Sequence, residues 1–362
     1  MDILVIHPSL NERGGSERVA LSIIESIKEK GYKVALGTFE KTNWAGIKNF
    51  FGDVHKPDIE FTHPRIFGTS AYGELLNFHL LLSHIPHKYR TVIVSTTSPW
   101  FYCPPAEKSI IYFNCSPVNY KYGLKRAYLS FYNLIQSKFI KKAKNKIILT
   151  NSLFSSEALK SVYSLESEVI YPPVNVEIFH SSPKKEDLVV SVGRFVPSKR
   201  YEVLIKAFSK VNDGKCLIIG SAKDRSSSKY LKKLKKLLND RKLNHKVKLI
   251  VNCPRSMLQS ILSKAKIYVH CAPSEYFGIS IVEAMACGCV PIVHQSGGPY
   301  TDIIKYGKYG FSFEETYELA SNLNLLLNDK QLCEKFREKA IKRSKIFNAR
   351  KFKKKIIEIV ES

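Results

Sequence analysis

Ser274-Glu275-Tyr276-Phe277-Gly278-Ile279-Ser280-Ile281-Val282-Glu283-Ala284-Met285-Ala286 is the stretch that decides the reading of this chain. Just before it, Ile267-Tyr268-Val269-His270 is a short buried-strand pattern, broken by Ala272-Pro273-Ser274. Residues 279–287 have the apolar spacing of a helix, and residues 290–293 read as the next strand. Strand, loop, helix and strand are the repeat of a parallel α/β sheet. Such sheets bind ligands at the carboxyl ends of their strands, where Glu275 falls. Backbone N–H groups around Gly278, Ile279 and Ser280 open the helix and face outward, with the helix dipole favouring an anion. A carboxylate in that place suits sugar or ribose hydroxyls, because it accepts two hydrogen bonds in fixed geometry. Taken singly, Glu275 reads as a loop acid and Glu283 as a solvated helix acid. The whole string, followed by Gly297-Gly298-Pro299, favours a ligand site.

The rest of the chain extends the same alternation. Residues 3–6 form the first strand, and Gly14-Gly15-Ser16-Glu17-Arg18 opens a helix that runs to about Lys30, with Ser16 as the expected N-cap. Gly31 ends that helix and residues 34–39 form the second strand. Residues 40–90 give a weaker pattern, helical over 75–82. Further strands are expected at 92–95, 110–113 and 147–149. Pro, Ser and Lys dominate residues 172–185, which read as a domain boundary. A second alternation follows, with strands at 188–192, 216–219 and 247–251 and helices from 200, over 228–240 and over 256–263. The expected division is 1–172, 173–345, and a terminal helix at 346–362 that could return to the first domain. The fold class is α/β, with two Rossmann-like domains facing across a cleft.

Composition narrows the function. At 362 residues, with 44% hydrophobic residues, the chain can bury two cores. A formal charge of +25 implies an anionic partner. Its eight cysteines show no C-x-x-C spacing, so they read as reduced thiols rather than a disulfide framework or a zinc site. Met1-Asp2-Ile3-Leu4-Val5 is already strand-like, and no apolar run has the length of a membrane span. The expected location is cytoplasmic, with peripheral attachment to the cytoplasmic face of a membrane as an option. No helix-turn-helix, zinc-finger or RNA-recognition pattern supports nucleic-acid binding, which rests on net charge alone.

Three other segments carry chemistry. Val192-Gly193-Arg194-Phe195-Val196-Pro197-Ser198-Lys199-Arg200 follows a strand, and a short loop could aim Arg194 and Lys199 at one diphosphate. Cations there would stabilise a diphosphate leaving group. Gly14-Gly15 either makes a simple tight turn or lets backbone approach a phosphate or sugar. His7, beside Pro8, reads as structural. Residues 108–156 contain no acidic residue, and lysines interleave with aromatics. Residues 124–143 have helical spacing ending in Lys138, Lys141 and Lys142, with Lys144 just beyond. Two readings stay open: a helix lying on an anionic membrane, or an ordinary amphipathic helix with lysines in water. The basic runs at 229–248 and 335–355 read as solvated helix faces.

With Gly193-Arg194, Lys199, Glu275, Glu283 and Ser296-Gly297-Gly298-Pro299 together, the chain resembles the GT4-type retaining glycosyltransferases of the GT-B fold. In motif style it is most like the mannosyltransferases of lipid-linked oligosaccharide assembly. The resemblance is specific over 190–304 and looser in the first half, where it rests on Gly14-Gly15 and on residues 112–117. It implies that Glu275 contacts the donor sugar and Glu283 the ribose, and that Arg194 and Lys199 hold the diphosphate. Phe277, Gly278 and Ile279 would offer backbone groups to the sugar and phosphates, Gly193 would belong to the donor-binding set, and Gly15 would approach the diphosphate from the other domain. The implied reaction moves a hexose, mannose or glucose favoured, from a GDP- or UDP-linked donor to a glycan or polyprenyl-linked acceptor. It needs no metal, no cofactor and no protein nucleophile. Related enzymes often carry a histidine near the segment where Asn114 and Cys115 stand here. The alternatives are a soluble-acceptor glycosyltransferase of the same fold and a basic nucleic-acid-binding protein.

Overall fold

The computed structural model describes residues 2–68, 70–86, 89–96, 106–115, 130, 134, 146–222 and 224–362. The proposed membrane helix, residues 124–143, lies outside the described residues except for Ser130 and Leu134, and Lys138, Lys141, Lys142 and Lys144 lie outside them altogether. The chain divides into two compact units, residues 1–173 with 349–362, and residues 174–348.

The first unit contains β1 (Asp2–Ile6), α1 (Gly15–Glu29), β2 (Lys33–Thr38), α2 (Trp44–Phe51), β3 (Ile59–Thr62) and α3 (Ala71–Ser83). It continues with β4 (Thr91–Thr96), β5 (Lys108–Phe113), β6 (Lys146–Thr150), α4 (Leu153–Tyr163) and β7 (Glu168–Val169). The strands form one sheet in the order β3-β2-β1-β4-β5-β6-β7, and each described pair is parallel. Ile3, Val5 and Ile93 are buried because helices cover both faces of such a sheet, so its central strands are largely apolar. Residues 40–90 were hard to read because α2, β3 and α3 are short or only weakly amphipathic. The N-cap of α1 is Gly14, not Ser16. The Glu17 carboxylate accepts the Gly14 N–H at 2.6 Å, so the acid supplies the cap from inside the helix.

The second unit contains β8 (Glu186–Val192), α5 (Tyr201–Phe208), β9 (Lys215–Gly220), α6 (Arg225–Asp240), β10 (Val247–Val251), α7 (Arg255–Lys264) and β11 (Ala265–His270). Then come α8 (Ile279–Ala286), β12 (Val290–His294), β13 (Phe311–Phe313), α9 (Thr316–Asn328) and α10 (Lys330–Ser344). Its sheet is again parallel, in the order β10-β9-β8-β11-β12-β13. In both units the chain builds outward from the first strand and then reverses direction. The reversal falls between β1 and β4 in one and between β8 and β11 in the other, and this is where an open α/β sheet leaves a crevice for a ligand.

The last helix, α11 (Ala349–Glu361), packs on the first unit. Phe352, Ile356, Ile359 and Val360 are spaced along one face and join the core beside α1. The Phe352 ring meets the edge of Tyr112 at 5.9 Å, and Lys353 bridges Glu25 at 3.2 Å and Glu29 at 2.6 Å. Phe352→Ala should therefore cost about 3–5 kcal/mol of stability by opening a cavity in the first unit. Denaturant unfolding followed by the fluorescence of Trp44, which packs at the edge of this core, checks it.

Candidate active site

The loop after β8 is shaped by lack of space. A Cβ on Gly193 would lie 2.8 Å from the Tyr201 hydroxyl, and one on Gly220 would lie 2.3 Å from the Gly193 carbonyl oxygen. The loop is pinned to the neighbouring strand by Gly193 N–H to Ile219 O (3.0 Å) and Phe195 N–H to Ser221 O (2.9 Å). Residues 197–199 then make one tight helical turn, and Arg200 takes a left-handed conformation to start α5. Lys199 is thereby turned back toward the sheet, while Arg194 is exposed. Asp224, the N-cap of α6, is held below the ordinary carboxylate range mainly by hydrogen bonds from Ser227, with a lesser contribution from the Arg194 charge.

The loop after β11 carries Glu275. Its carboxylate bonds the Lys199 ammonium, and the same oxygen lies 3.2 Å from His270 Nε2. The His270 side chain is 4% exposed and that of Glu275 22%. Burial acts to raise the Glu275 carboxyl, but the Lys199 charge and the His270 hydrogen bond outweigh it and hold the group far below its usual range. Burial pushes His270 down, against the opposing pull of Glu275. The ring is therefore neutral at neutral pH, and because the ionised carboxylate can only accept, Nε2 carries the proton.

Gly297 and Gly298 explain why this loop keeps its shape. The Gly298 N–H donates to the Glu275 carbonyl at 2.9 Å, and the Ser274 N–H donates to Ser296 Oγ at 2.9 Å. A Cβ on Gly297 would lie 2.4 Å from the Glu275 carbonyl oxygen, and one on Gly298 would lie 2.2 Å from that of Tyr276. Only backbone fits against backbone there. Phe277 is buried edge-on against Phe347 at 5.3 Å. The Arg343 guanidinium lies over the Phe347 ring at 5.2 Å and donates to the carbonyls of Asp302 (2.5 Å) and Ile303 (3.2 Å). Gly278, at φ +100°, reverses the chain into α8. Phe277 thus anchors the loop, while Gly278 and Ile279 begin a helix whose first N–H groups lack intrahelical partners.

Tyr268 ties the two loops together. Its buried hydroxyl donates to the Val192 carbonyl at 3.2 Å and pairs with the Ser280 hydroxyl at 2.8 Å. Glu283 lies one turn into α8, its side chain 12% exposed, with an Arg255 nitrogen 3.9 Å away. Sequence reasoning named Lys199, Glu275 and Glu283 but passed over His270, Tyr268 and Arg255. A histidine closing an otherwise apolar strand was the available signal for His270. Arg255 had none beyond its place at the start of a helix.

In the first unit Gly15 is the first residue of α1, and His7 is fully buried beneath it. Asn114 and Cys115 are occupied structurally. The Asn114 amide donates to Ser95 Oγ and the Thr96 carbonyl, each at 3.0 Å, and burial pushes the Cys115 thiol up to about 12. Neither offers the proton-accepting nitrogen of a histidine.

These two parallel sheets, each reversing beside its first strand, have the architecture of the GT-B fold. Residues 176–343 match the family model described as glycosyl transferases group 1. It is 25% identical over 365 residues to the GDP-Man:Man(3)GlcNAc(2)-PP-Dol alpha-1,2-mannosyltransferase of Homo sapiens, covering 84% of this chain and 74% of that protein. The Dictyostelium discoideum protein of the same name is 19% identical over 420 residues, covering 98% and 83%. Among solved structures, Anabaena HepE in complex with UDP and glucose superposes with a TM-score of 0.77 at 19% identity over 100% of both chains. Sucrose-phosphate synthase from Thermosynechococcus elongatus gives 0.77 at 18%, over 100% of this chain and 98% of that one.

Two tests follow from this geometry. Gly298 has φ −56°, a conformation open to any residue, so Gly298→Ala isolates the clash with Tyr276. It should cost about 1–3 kcal/mol of stability and lower kcat/KM by moving the Glu275 loop, as read by thermal melting and steady-state kinetics. Because the folded Glu275 carboxyl titrates below its unfolded value of 4.5, the stability it contributes is complete above that pH and is lost as pH falls beneath it. Lys199→Met should flatten the decline of stability between about pH 5 and 2, measured by urea unfolding across that range.

Proposed function

We propose that this chain transfers a mannosyl residue, with retention of anomeric configuration, from GDP-mannose to a polyprenyl-diphosphate-linked glycan. The observation that carries the reading is the Lys199–Glu275–His270 cluster at the reversal point of the second sheet. The names of the human and Dictyostelium relatives support the choice of donor and acceptor.

Without donor, Lys199 and Glu275 neutralise each other. A nucleotide sugar brings an anionic diphosphate and neutral hydroxyls, so each group gains the partner it suits. Lys199 turns to the diphosphate together with Arg194, and their charge stabilises it as it leaves. Glu275 accepts hydrogen bonds from the sugar hydroxyls, held in place by the His270 N–H. Glu283 receives the ribose hydroxyls, and the N–H groups at Gly278 and Ile279 meet the phosphates. Gly193 keeps the basic loop clear of side chains, and Gly15 offers backbone to the phosphates from the first unit. The departing phosphate oxygen takes the acceptor hydroxyl's proton as the new bond forms on the same face. This scheme uses no metal and no protein nucleophile.

A lipid-linked acceptor places the reaction at a membrane surface. The charge of +25 suits an anionic one on the cytoplasmic side, and nucleic acid is not proposed as a partner. Among the described residues no helix is long and apolar enough to cross a membrane, which fits peripheral attachment.

Glu275→Gln keeps the size of the side chain and removes its charge. Losing a charged hydrogen bond of about 1.5–3 kcal/mol should lower transfer from GDP-mannose by about tenfold to a hundredfold, with a melting temperature somewhat lowered by loss of the Lys199 ion pair but the fold intact. Undiminished transfer would remove Glu275 from the site. A thermal-shift series with GDP, GDP-mannose, UDP and UDP-glucose identifies the donor, since the tightest ligand gives the largest rise. Stabilisation by the uridine pair alone would replace GDP-mannose with UDP-glucose.

A further inference from the structure

The reversal point of the first sheet, between β1 and β4, holds a buried, hydrogen-bonded His7–Glu17 pair. His7 follows β1 and is fully buried. Its Nδ1 lies 2.9 Å from the Ser95 carbonyl oxygen, contributed by β4, so the His7 ring spans the gap between the two strands. Its Nε2 lies 3.3 Å from Glu17 Oε1. A carbonyl oxygen can only accept, so Nδ1 carries a proton. Glu17 receives the Gly14 N–H at 2.6 Å on one oxygen and the Ser16 hydroxyl at 2.7 Å on the other, contacts that favour an ionised carboxylate. Burial works against this, but the His7 hydrogen bond and charge prevail and keep the group below its ordinary range. Both ring nitrogens therefore face oxygen atoms that can accept.

The pair acts directly on the glycine turn. A Cβ on Gly14 would lie 2.8 Å from Glu17 Oε2, so the carboxylate occupies the space that a side chain at 14 would need. Glu17 sits in the first turn of α1 and cannot move without the Gly14 N–H that it accepts. His7, locked to β4, fixes Glu17 in turn. Ser95 extends the connection: its Oγ accepts from Asn114 at the end of β5.

We propose that His7 and Glu17 are positioning residues for glycosyl transfer, together holding the Gly14–Gly15 turn in the one conformation from which its backbone meets the donor's diphosphate. This rests on the reading that Gly15 approaches that diphosphate. Neither residue touches the donor. A buried pair cross-linking β1, β4 and α1 sets where the turn begins, as Gly297 and Gly298 set the Glu275 loop in the second unit.

The test uses the full chain, with donor affinity from calorimetry against GDP-mannose and UDP-glucose and melting temperature as the control for folding. Glu17→Ala should weaken binding of the preferred donor at least tenfold among folded molecules. Glu17→Gln should return it to within about threefold of wild type. Its carbonyl oxygen still accepts the Gly14 N–H, and its amide nitrogen can donate to His7 Nε2. Gly15→Val tests the underlying reading and should weaken binding at least as much as Glu17→Ala. Should Gly15→Val bind weakly while Glu17→Ala binds normally, the turn meets the donor but does not depend on the pair, and the proposal is overturned. Equal losses in Glu17→Gln and Glu17→Ala would also overturn it, because charge rather than hydrogen-bond geometry would then be at work. Normal binding by Gly15→Val would remove the turn from the donor site, and the proposal with it.

Discussion

An ionised carboxylate placed at the edge of an apolar sheet must be met by a positive charge or a donor, or it takes up a proton. Glu275 imposes that requirement, and much of the second unit is arranged to meet it. Lys199 reaches it only because Gly193 leaves room for Tyr201 and Arg200 turns left-handed. His270 reaches it as the last residue of β11, at the strand's carboxyl end. The loop holds its shape because Gly297 and Gly298 allow backbone to lie against backbone, and because Phe277 is seated on Phe347. Tyr268 fixes the distance between the two loops from below, with one hydroxyl serving both.

The two units meet the same topological problem with different chemistry. Each sheet reverses its winding beside its first strand, and each puts charge at that point. In the second unit Lys199 and Glu275 are partly exposed, which suits the proposed exchange of each for a ligand group. In the first unit His7 and Glu17 are both buried, and the glycine turn they hold is exposed. An exposed pair is suited to exchanging partners, and a buried pair is suited to holding a shape.

The sequence was legible where a pattern is local. The spacing of Glu275 and Glu283 around Gly278, and the Gly193 to Lys199 loop after a strand, put chemistry at strand ends without any knowledge of packing. What could not be read depended on contacts distant along the chain. The reason for Gly297 and Gly298 is the backbone of residues 274–277, some twenty positions away. His270 looked like the end of a strand and Glu17 like one more acid in a helix's first turn, yet each became a partner only once the sheet brought its neighbour close. Ser16 had the composition of an N-cap, but the buried Glu17 took that task. Residues 40–90 failed for another reason: α2 and β3 are short, and α3 has little contrast between its faces, so periodicity had little to work on.

The return of α11 to the first unit has a consequence for how the chain is made. Every residue of the second unit's core lies between 174 and 348, so that unit is complete as soon as its own segment has been synthesised. The first unit is begun earlier and finished later. Until residues 352–360 emerge, the part of α1 and the face of Tyr112 that they cover stay exposed. The half translated first is therefore the half that closes last, and in the nascent chain it stays exposed to unwanted association while the whole of the other half is made.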